Sequence, residues 1–456
     1  MSAAQSPSWE ILSDTPGIAW PAIPSPPGAA ALALLHQLEA SQWLAADALR
    51  ALQFRQLEVL LRHAWETVPF YRERWDGCYE PALPLTAERF AGLPLLSRRD
   101  LQLHGAALRS GRLPAGHGIA GESRTSGSTG APASVSKTQL TELIWNTLTL
   151  REHRWHRRDP GAKLAVIRSG LQEVESAEWG SATRGLVVTG PAAGLDTTAP
   201  VARQLEWLRR QEPAYLLTYA SNAAALARAS IAAGIRLPSL REVRTMAETI
   251  SPELRDLCRE AWGAKLTDMY SAAEIGYIAL QCPAHAHYHV QCESVLLELL
   301  DEHGAPSTPG RAGRVVLTDL HNFAMPLVRY EIGDYAEAGA PCACGRGLPV
   351  LSRIAGRLRH MLVAPDGQRY WPSLATGRFI AVAPVLQHQF VQKNYGLIEA
   401  RLVTAAPLTP QQEAALRALV LARLPPGLRL EFVYCDAIGR GPGGKFEEFI
   451  SEVAEA

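Results

Sequence analysis

The chain lacks an excess of charge of either sign, a long apolar run and a regular pattern of cysteines. Its basic residues (Lys and Arg) and its acidic residues (Asp and Glu) number 45 each among 456, so no broad basic field attracts nucleic acid or an anionic membrane. The longest apolar stretches, such as residues 29–35, are far too short to span a bilayer. Residues 1–27 are rich in Ser and Pro and lack the basic start and apolar core of a signal peptide. We therefore expect a globular cytoplasmic protein that binds its ligands at local sites.

The hydrophobic pattern predicts a helical N-terminal part and then alternating strands and helices. Helical spacing runs over residues 32–61, and an aromatic turn at 68–71 ends it. Further along, short β-like runs alternate with helical patterns, the runs at 164–167 and 185–189 and the helical patterns at 201–210 and 221–233. Such alternation indicates an α/β fold with several layers.

A different pattern begins near residue 357 and predicts a small α+β unit of about 100 residues. Its expected elements are a hairpin at 361–370, a strand at 397–403, a helix at 410–424 and a strand at 430–434. We therefore divide the chain into a flexible leader at 1–28, a large domain at 29–356 and a small mobile domain at 357–456.

One hexapeptide combines hydroxyls and glycines in the way that a polyphosphate-binding loop requires. It consists of Thr125, Ser126, Gly127, Ser128, Thr129 and Gly130. Glycine permits the positive φ angles that turn successive N–H groups toward one anion, and the hydroxyls add hydrogen-bond donors. Taken alone, such a run is more often a plain surface loop. Its interpretation therefore depends on residues elsewhere in the chain.

Two motifs that follow predicted strands have the chemistry to bind a nucleotide base and a metal ion. Residues 247–249 come after a strand-like run at 243–246, where a loop can meet a base. In the second motif the flat ring of Tyr270 stands four residues before the carboxylate of Glu274, which suits Mg²⁺. The alternative for the second motif is an ordinary junction between a strand and a helix.

Two later motifs add groups for a ribose and for a phosphate. Residues 326–334 contain Arg329, which could face phosphate, and Asp334, whose carboxylate could accept hydrogen bonds from both ribose hydroxyls. By itself, Asp334 is more often a turn residue. Residues 439–445 form a glycine-rich loop that ends in Lys445, which could neutralise charge developing during adenylyl transfer. The alternative for Lys445 is an ordinary solvated side chain.

In order and spacing, these motifs resemble the adenylate-forming acyl and aryl ligase superfamily, and most closely its phenylacetate–CoA ligase branch. The segments at 64–71 and 93–101 extend the resemblance upstream of the hydroxyl-glycine loop. The resemblance implies a large adenylation domain with a small C-terminal lid. It also implies activation of a carboxylic acid by ATP as an acyl-adenylate, followed by transfer of the acyl group to coenzyme A.

The resemblance further implies roles for individual residues. Ser126, Ser128 and Thr129 would contact the β- and γ-phosphates. The catalytic residues would be Lys445 in the adenylation step, Glu274 as the ligand of Mg²⁺, and Arg329. The residues around the nucleoside and the hinge would be Ala247, Glu248 at the adenine pocket, Thr249, Tyr270 stacked near adenine, Ser271, Asp334 at the ribose, Arg353 and Arg357.

The chain departs from the family pattern at three places. Ala131 and Pro132 follow the last loop glycine, where relatives usually carry a lysine. Arg359 and His360 stand where aspartates are common at the hinge. Residues 179–185 differ from the glycine-rich run of phenylacetate ligases. In the order given, these departures leave three alternatives to the family pattern: weaker binding of ATP, an altered thioester-forming step and a different acid pocket.

A second constellation contains thiols and imidazoles. The seven cysteines are odd in number and irregularly spaced, which disfavours a disulfide framework. Three thiolates and one imidazole, from Cys282, His289, Cys342 and Cys344, suit a tetrahedral Zn²⁺, and the resemblance selects His289 over its histidine neighbours. Four protein ligands leave no open position, so such a zinc would be structural. The alternatives are cysteines packed as small apolar groups and Cys292 as a substitute ligand.

The predicted activity is that of an adenylate-forming acid–thiol ligase acting on an aryl or arylacetic acid, with ATP, Mg²⁺, structural Zn²⁺ and coenzyme A. One alternative is a ligase that passes the acyl group to a carrier-protein thiol or an amine, and another is an inactive adenylate-binding protein. Four aromatic residues could form flat walls of the acid pocket or belong to the core, namely Trp145, Trp155, Trp179 and Tyr219. The remaining thiols, Cys78, Cys258 and Cys435, are expected to be ordinary core or surface groups. The oligomeric state stays open, with a homodimer as the commonest assembly.

Overall fold

A computed structural model describes residues 9–124, 133–251, 253–357, 360–364, 367–372, 379–441 and 446–453. The hydroxyl-glycine hexapeptide at 125–130, Ala131, Pro132, Arg359 and Lys445 lie outside these residues, so the predictions made for them stay predictions. Within the described ranges, none of the helices combines the length and the apolar character needed to cross a lipid bilayer.

The helices of the described residues are α1 (Pro26–Ser41), α2 (Ala46–Thr67), α3 (Pro69–Arg74), α4 (Ala87–Ala91), α5 (Arg98–His104), α6 (Gln139–Trp155), α7 (Val201–Gln211), α8 (Ala220–Ala233), α9 (Leu254–Trp262), α10 (Phe379–Val382) and α11 (Pro410–Leu421). The strands are β1 (Ile119–Arg124), β2 (Ser134–Thr138), β3 (Leu164–Ile167), β4 (Val174–Ser176), β5 (Ala192–Leu195), β6 (Tyr215–Tyr219), β7 (Glu242–Met246), β8 (Lys265–Ala272), β9 (Gly276–Gln281), β10 (Tyr288–Val290), β11 (Val295–Leu300), β12 (Ala312–Asp319), β13 (Tyr330–Ala338), β14 (Val350–Arg357), β15 (Leu362–Val363), β16 (Arg369–Tyr370), β17 (Val385–Asn394), β18 (Leu397–Thr404), β19 (Arg429–Tyr434) and β20 (Phe449–Ser451).

Capping residues fix where two helices near the candidate site begin. At α5, the Ser97 hydroxyl accepts a hydrogen bond from the Asp100 N–H while the Asp100 carboxylate accepts one from the Ser97 N–H. At α6, Thr138 and Thr141 form the same reciprocal arrangement. Each pair satisfies two N–H groups that a helix N-terminus leaves without partners, which defines the first turn. Arg98 is thereby placed in the first turn of α5.

The chain forms two compact units. The first comprises Met1–Ala162, Glu175–Ala192 and Met269–Ile354. Within it, neighbouring strands follow the order β11, β12, β13, β14, β10, β9, β8, and β1 and β2 form a separate antiparallel ribbon. The pairs β8–β9, β9–β10, β11–β12 and β12–β13 are antiparallel. A short turn therefore suffices to join β8 and β9, and this turn carries Glu274.

The second unit comprises Lys163–Val174, Ala193–Asp268 and Ala355–Ala456. Strands β3, β6 and β7 are parallel neighbours, and their core includes Trp207 from α7 and Leu226 from α8. Parallel strands place their carboxyl ends at one edge of a sheet, where ligands bind in many α/β proteins. Residues 247–249 follow β7 at this edge.

The C-terminal residues of the second unit have a separate hydrophobic core. Neighbouring strands there follow the order β19, β18, β17, β20, with β15 and β16 as a two-stranded ribbon. The core is built from residues between Leu362 and Phe449, including Phe390 and Leu416. A core built from one continuous stretch is what an α+β unit requires. The domain boundary at residue 357 remains a prediction.

Most elements expected from the sequence are present. Residues 164–167, 201–210 and 221–233 coincide closely with β3, α7 and α8, and the C-terminal hairpin, strands and helix correspond to β15–β16, β18, β19 and α11. The mixed α/β fold is therefore confirmed. The helical pattern at 32–61 forms two helices, because the chain turns between α1 and α2 at residues 42–45.

The expected strand at 185–189 was wrong. Residues 181–186 form turns, and only Val187 makes an isolated bridge, to Ile11. Gly185 has a φ of 67°, a left-handed conformation that a strand does not accommodate. The apolar run was real, since Leu186 and Val187 are buried, but burial alone did not make it a strand.

Candidate functional site

Glu274 lies in the β8–β9 turn of the first unit and is buried, with 5% of its surface exposed. Its carboxylate oxygen Oε1 is 3.5 Å from the Arg98 guanidinium. Its main-chain oxygen accepts a hydrogen bond of 2.5 Å from the Lys137 ammonium, which also lies 3.8 Å from Asp319. The structure therefore fixes the backbone of Glu274 more tightly than its carboxylate, which keeps the capacity to bind a cation.

Tyr270 and Asp334 come from strands far apart in the sequence and meet in the first unit. The Tyr270 hydroxyl donates a hydrogen bond of 2.8 Å to the Asp334 carboxylate. Tyr270 is buried, whereas Asp334 is partly exposed. The two residues predicted to contact adenine and ribose are thus adjacent, which is the arrangement that one bound nucleoside requires.

Arg329 has a different environment from the one predicted. Its guanidinium makes two hydrogen bonds to the Glu298 carboxylate, at 3.0 and 2.9 Å. Two more go to the main-chain oxygens of Ala91 and Leu93. Because four of the five N–H donors of an arginine are taken here, the buried side chain joins separate segments of the unit. A catalytic role for Arg329 stays a prediction, and this geometry argues against it.

Arg353 is also paired within the first unit. On β14, its guanidinium donates to the Glu337 carboxylate of the neighbouring strand β13, at 3.1 and 2.5 Å. Half of the Arg353 side chain is exposed, so solvent weakens this ion pair. The side chain can therefore exchange its partner for a phosphate at small cost.

Glu248 of the second unit has both carboxylate oxygens occupied by protein donors. Oε2 accepts a hydrogen bond of 2.8 Å from the Ser221 N–H, and Oε1 accepts one of 2.7 Å from the Phe446 N–H. The Arg440 guanidinium lies 3.4 Å from Oε1. Burial raises the pKa of Glu248, and these donors partly oppose that rise. Glu248 thus connects the end of β7 with residues on either side of 442–445.

The other second-unit residues predicted to contact the nucleotide lie where the segment of Gly356 comes close to that of Thr249. Gly356 has a φ of 100°, and a Cβ atom there would lie 3.2 Å from the Thr249 hydroxyl. Only glycine fits this position without strain. Ala247 also has a positive φ, of 64°, which is unusual for a residue with a side chain. Thr249 is therefore close to the segment that carries Arg357.

The predicted zinc ligands meet in the first unit. One nitrogen of His289 and the sulfurs of Cys282, Cys342 and Cys344 all lie within 4.8 Å of one another. Cys282 and Cys342 have sulfurs 3.8 Å apart, and the Cys344 sulfur is 3.4 Å from His289 Nε2. Sulfurs bound to a tetrahedral zinc at about 2.3 Å would lie about 3.8 Å apart. The observed spacing matches a zinc site.

The surroundings of this cluster also suit a metal. Arg346 donates to the Cys344 sulfur at 3.5 Å, and the Cys344 N–H donates to the Cys342 sulfur at 3.3 Å, which are contacts that stabilise thiolates. Burial lowers the pKa of His289 to about 4, so its ring is neutral near pH 7 and able to ligate. Cys292 is buried outside this group of four.

The remaining thiols and aromatic residues have distinct environments. Cys258 belongs to the core of the second unit, Cys78 is exposed and Cys435 is partly exposed. Trp155 packs edge-on against His289, and the Trp179 indole donates to the Ala162 oxygen, so both rings are structural. Tyr219 is buried, with the Arg440 guanidinium above its ring. Trp145 is partly exposed and stacks on the buried Tyr277, with ring centroids 4.5 Å apart.

Sequence reasoning missed the roles of Arg98 and Lys137. Arg98 stands in the segment at 93–101 that carries part of the family resemblance, so a signal was available. Lys137 stands near the place where relatives carry a loop lysine, but nothing in its neighbours indicates burial of its charged side chain. Only the fold reveals that its ammonium contacts both Glu274 and Asp319.

Comparison with known proteins supports the resemblance. No protein-family model matches the chain. A phenylacetate–coenzyme A ligase of Thermus thermophilus is 27% identical over 377 residues, covering 77% of this chain and 80% of the relative. A protein of the same description from Escherichia coli is 24% identical over 372 residues, covering 78% of this chain and 82% of the relative.

Solved structures show the same fold. A 2-hydroxyisobutyryl-CoA ligase bound to an acyl-adenylate superimposes with a TM-score of 0.72, at 21% identity, and the match covers 90% of this chain and 91% of that one. An anthranilate CoA ligase bound to anthranoyl-AMP has a TM-score of 0.56 at 16% identity, over 72% and 65% of the two chains. This chain is thus similar in sequence to phenylacetate–coenzyme A ligases, and it shares its fold with solved acyl-coenzyme A ligases.

Proposed function

We propose that this protein activates a carboxylic acid with ATP, forming an acyl-adenylate and pyrophosphate, and then transfers the acyl group to coenzyme A. The hydrogen bond between Tyr270 and Asp334 carries the proposal, because it joins the residues expected to meet adenine and ribose. Relatives that match most of the chain support it, since they are phenylacetate–coenzyme A ligases. The acid is of the aryl or arylacetic type.

In the first half-reaction, a carboxylate oxygen of the acid attacks the α-phosphorus of ATP, and pyrophosphate leaves. Asp334 holds the ribose hydroxyls, and Tyr270 lies against the base. A magnesium ion bound to Glu274 would offset negative charge on the phosphates. Lys445 offsets the charge that grows between the carboxylate and the α-phosphate, where a positioned cation stabilises the transition state. The hydroxyl-glycine loop at 125–130 holds the β- and γ-phosphates.

In the second half-reaction, the coenzyme A thiol attacks the acyl carbonyl and AMP leaves. A carrier-protein thiol or an amine is the second candidate acceptor. To distinguish coenzyme A from these other acceptors, the adenylated enzyme is supplied with coenzyme A, with a phosphopantetheinylated carrier protein or with simple amines. Acceptor-dependent AMP release with coenzyme A supports the first, and release only with another acceptor supports the second. We expect the enzyme to work in the cytoplasm, and a homodimer is the assembly to test.

Acid-dependent exchange of labelled pyrophosphate into ATP tests the adenylation step. We expect exchange with one or more aryl or arylacetic acids, and a loss on the order of 10²-fold or more in Lys445→Ala. Lys393→Ala is the matched control, because Lys393 pairs with Glu452 on the protein surface. If no acid supports exchange by folded, metal-loaded protein, the proposed function is wrong. Such a result would favour the alternative of an inactive adenylate-binding protein.

A structural zinc ion in the cluster of Cys282, His289, Cys342 and Cys344 is a separate proposal, which the spacing of the ligand atoms supports. Elemental analysis should find about one zinc per chain. Cys344→Ser should lose the zinc and lower the melting temperature by roughly 5 °C or more. Cys435→Ser, a change at a thiol outside the cluster, should alter neither quantity. Zinc-free protein of unchanged stability would contradict the proposal.

A further inference from the structure

Lysine is scarce in this chain, and one lysine is largely buried in the first unit. The lysines are Lys137, Lys163, Lys265, Lys393 and Lys445, and all the other basic residues counted with them are arginines. Only 14% of the Lys137 side chain is exposed. An ammonium is a compact point charge, whereas a guanidinium is a planar fork with five N–H donors. A buried lysine in an arginine-rich chain therefore indicates a specific contact that a compact charged group makes.

The contact of Lys137 connects two elements that are predicted to bind phosphate and magnesium. Lys137 lies on β2, the strand that follows the hydroxyl-glycine loop at 125–130 in the sequence. Its ammonium donates a hydrogen bond of 2.5 Å to the main-chain oxygen of Glu274, in the β8–β9 turn. Within that turn, the Ile275 N–H is 3.3 Å from the Ala272 oxygen, which is long for a backbone hydrogen bond. The lysine therefore supplies a short contact to the residue predicted to bind magnesium.

Residues that follow β12 hold the lysine and its strand in place. The Asn322 side chain donates a hydrogen bond of 3.0 Å to the main-chain oxygen of Ser136, the residue before Lys137. The Lys137 ammonium also lies 3.8 Å from the carboxylate of Asp319, which is buried. That carboxylate in turn accepts a hydrogen bond of 3.2 Å from the His321 N–H. The flexible lysine side chain is thereby restricted, because both its strand and its charge have fixed partners.

Asp319 offsets the positive charge of Lys137. Burial lowers the pKa of Lys137 and raises the pKa of Asp319, and the attraction between the two groups opposes both shifts. An ammonium and a carboxylate at this distance form a pair without net charge, so together they change the electrostatic attraction between Glu274 and a cation only slightly. The hydrogen bond from Lys137 to the Glu274 backbone therefore acts on the position of the turn more than on its charge.

We propose that Lys137 is a positioning residue for the adenylation step, because its hydrogen bond fixes the turn whose Glu274 carboxylate binds magnesium. The inference rests on the proposed function. Lys137 acts through Glu274 and has no contact of its own with the reacting atoms. Residues that orient a metal ligand commonly contribute roughly 10–100-fold to metal affinity or activity. Loss of the lysine should therefore raise the magnesium requirement of the enzyme.

The test uses the double variant Lys137→Met/Asp319→Asn. Methionine keeps most of the apolar stem of lysine without the ammonium, and asparagine keeps an oxygen acceptor. Because both charges are removed together, neither is left buried without its partner, and the net local charge is unchanged. The hydrogen bond to Glu274 is then the interaction that the variant lacks. Lys265→Met is the matched control, because Lys265 pairs at 3.5 Å with the buried carboxylate of Glu242 in the second unit.

Two measurements respond to magnesium binding rather than to folding. One is the free Mg²⁺ concentration that gives half-maximal acid-dependent pyrophosphate exchange at a fixed ATP concentration. The other is the affinity for Mn²⁺, followed by electron paramagnetic resonance with a non-hydrolysable ATP analogue and without acid. The double variant should need about tenfold more Mg²⁺ and bind Mn²⁺ about tenfold more weakly. Lys265→Met should match the wild type in both measurements.

The outcomes separate the role of Lys137 from the proposed function. A double variant with the wild-type Mg²⁺ requirement and Mn²⁺ affinity, even at a lowered melting temperature, overturns the inference and leaves the proposed function intact. Exchange with no acid overturns the proposed function, whereas the Mn²⁺ affinities still decide the role of Lys137. A wild type that binds no Mn²⁺ with the analogue overturns the inference as well.

Lys137→Met alone is the second variant if the double variant fails to fold. Its change in charge and its change in position act in opposite directions. The negative charge of Asp319, left without its partner, would by itself strengthen the binding of a cation. Weaker Mn²⁺ binding by Lys137→Met therefore supports the positioning role, and equal or tighter binding overturns it.

Discussion

Two buried glutamates, one in each unit, are predicted to serve a nucleotide, but the structure surrounds them differently. The Glu274 carboxylate in the first unit has an ion pair with Arg98 at 3.5 Å. The Glu248 carboxylate in the second unit accepts backbone hydrogen bonds at 2.8 and 2.7 Å, one on each oxygen. Arg440 adds a charged partner to Glu248.

This difference separates a carboxylate available to a ligand from one used by the fold. Protein donors already replace the water around Glu248, so a nucleotide base would have to displace backbone hydrogen bonds to reach it. Among the residues that the structure describes, the Glu274 carboxylate has a longer contact, from Arg98 to one oxygen, which leaves coordination capacity for a cation. A motif locates a carboxylate in the sequence, but only its neighbours show whether it can still bind something else.

The largest effect should come from Glu274→Gln. The amide removes the charge that attracts Mg²⁺, so pyrophosphate exchange should fall on the order of 10²-fold, with a higher magnesium requirement. Steady-state exchange at several magnesium concentrations measures both effects. Glu248→Gln is the matched change at another buried carboxylate. Equal losses of exchange activity and equal magnesium dependence in the two variants would contradict the distinction drawn between Glu274 and Glu248.

Glu248→Gln should act mainly on stability. The glutamine amide places an N–H₂ group against a backbone donor and weakens the contact with Arg440, at a cost of about 1–3 kcal/mol in the free energy of unfolding. Urea denaturation measures this change, with exposed Glu431→Gln as control. The KM for ATP should change less than about threefold. An unchanged stability with a KM raised tenfold or more would support the adenine role implied by the family resemblance.

The smallest expected effect is a pH dependence. Burial raises the pKa of Glu248 above its ordinary value of 4.5, so the folded protein binds this proton more tightly than the unfolded chain. The associated stability is complete below pH 4.5 and is lost as the pH rises through the raised value. The stability advantage of the wild type over Glu248→Gln should therefore decrease with rising pH. An advantage that grows with pH would mean that the hydrogen bonds outweigh burial.

Much of the fold was predictable because its elements have strong local signals. Helices α7 and α8 and strand β3 follow periodic apolar patterns, and the structure confirms them. The clustering of Cys282, His289, Cys342 and Cys344 was also predictable, because the chemistry of a zinc site restricts both residue type and number. The choice of His289 over its neighbours needed the family resemblance, and the ligand-atom distances agree with it.

The rest depended on contacts between distant residues. Arg329 lies in a motif that suggests phosphate, yet its acceptors Glu298, Ala91 and Leu93 come from other parts of the chain. The partners of Glu248 include Phe446, nearly two hundred residues away. No local pattern encodes such pairings, because tertiary packing decides them.

Direct detection of the acyl-adenylate tests the central claim. Zinc-replete protein would be incubated with ATP, Mg²⁺ and an aryl acid in the absence of any thiol or amine, and the products would be identified by mass spectrometry. We predict the mixed anhydride of the acid with AMP and an equal amount of pyrophosphate, both strongly reduced in Glu274→Gln. Folded protein that yields neither product with any acid of the panel would contradict the account.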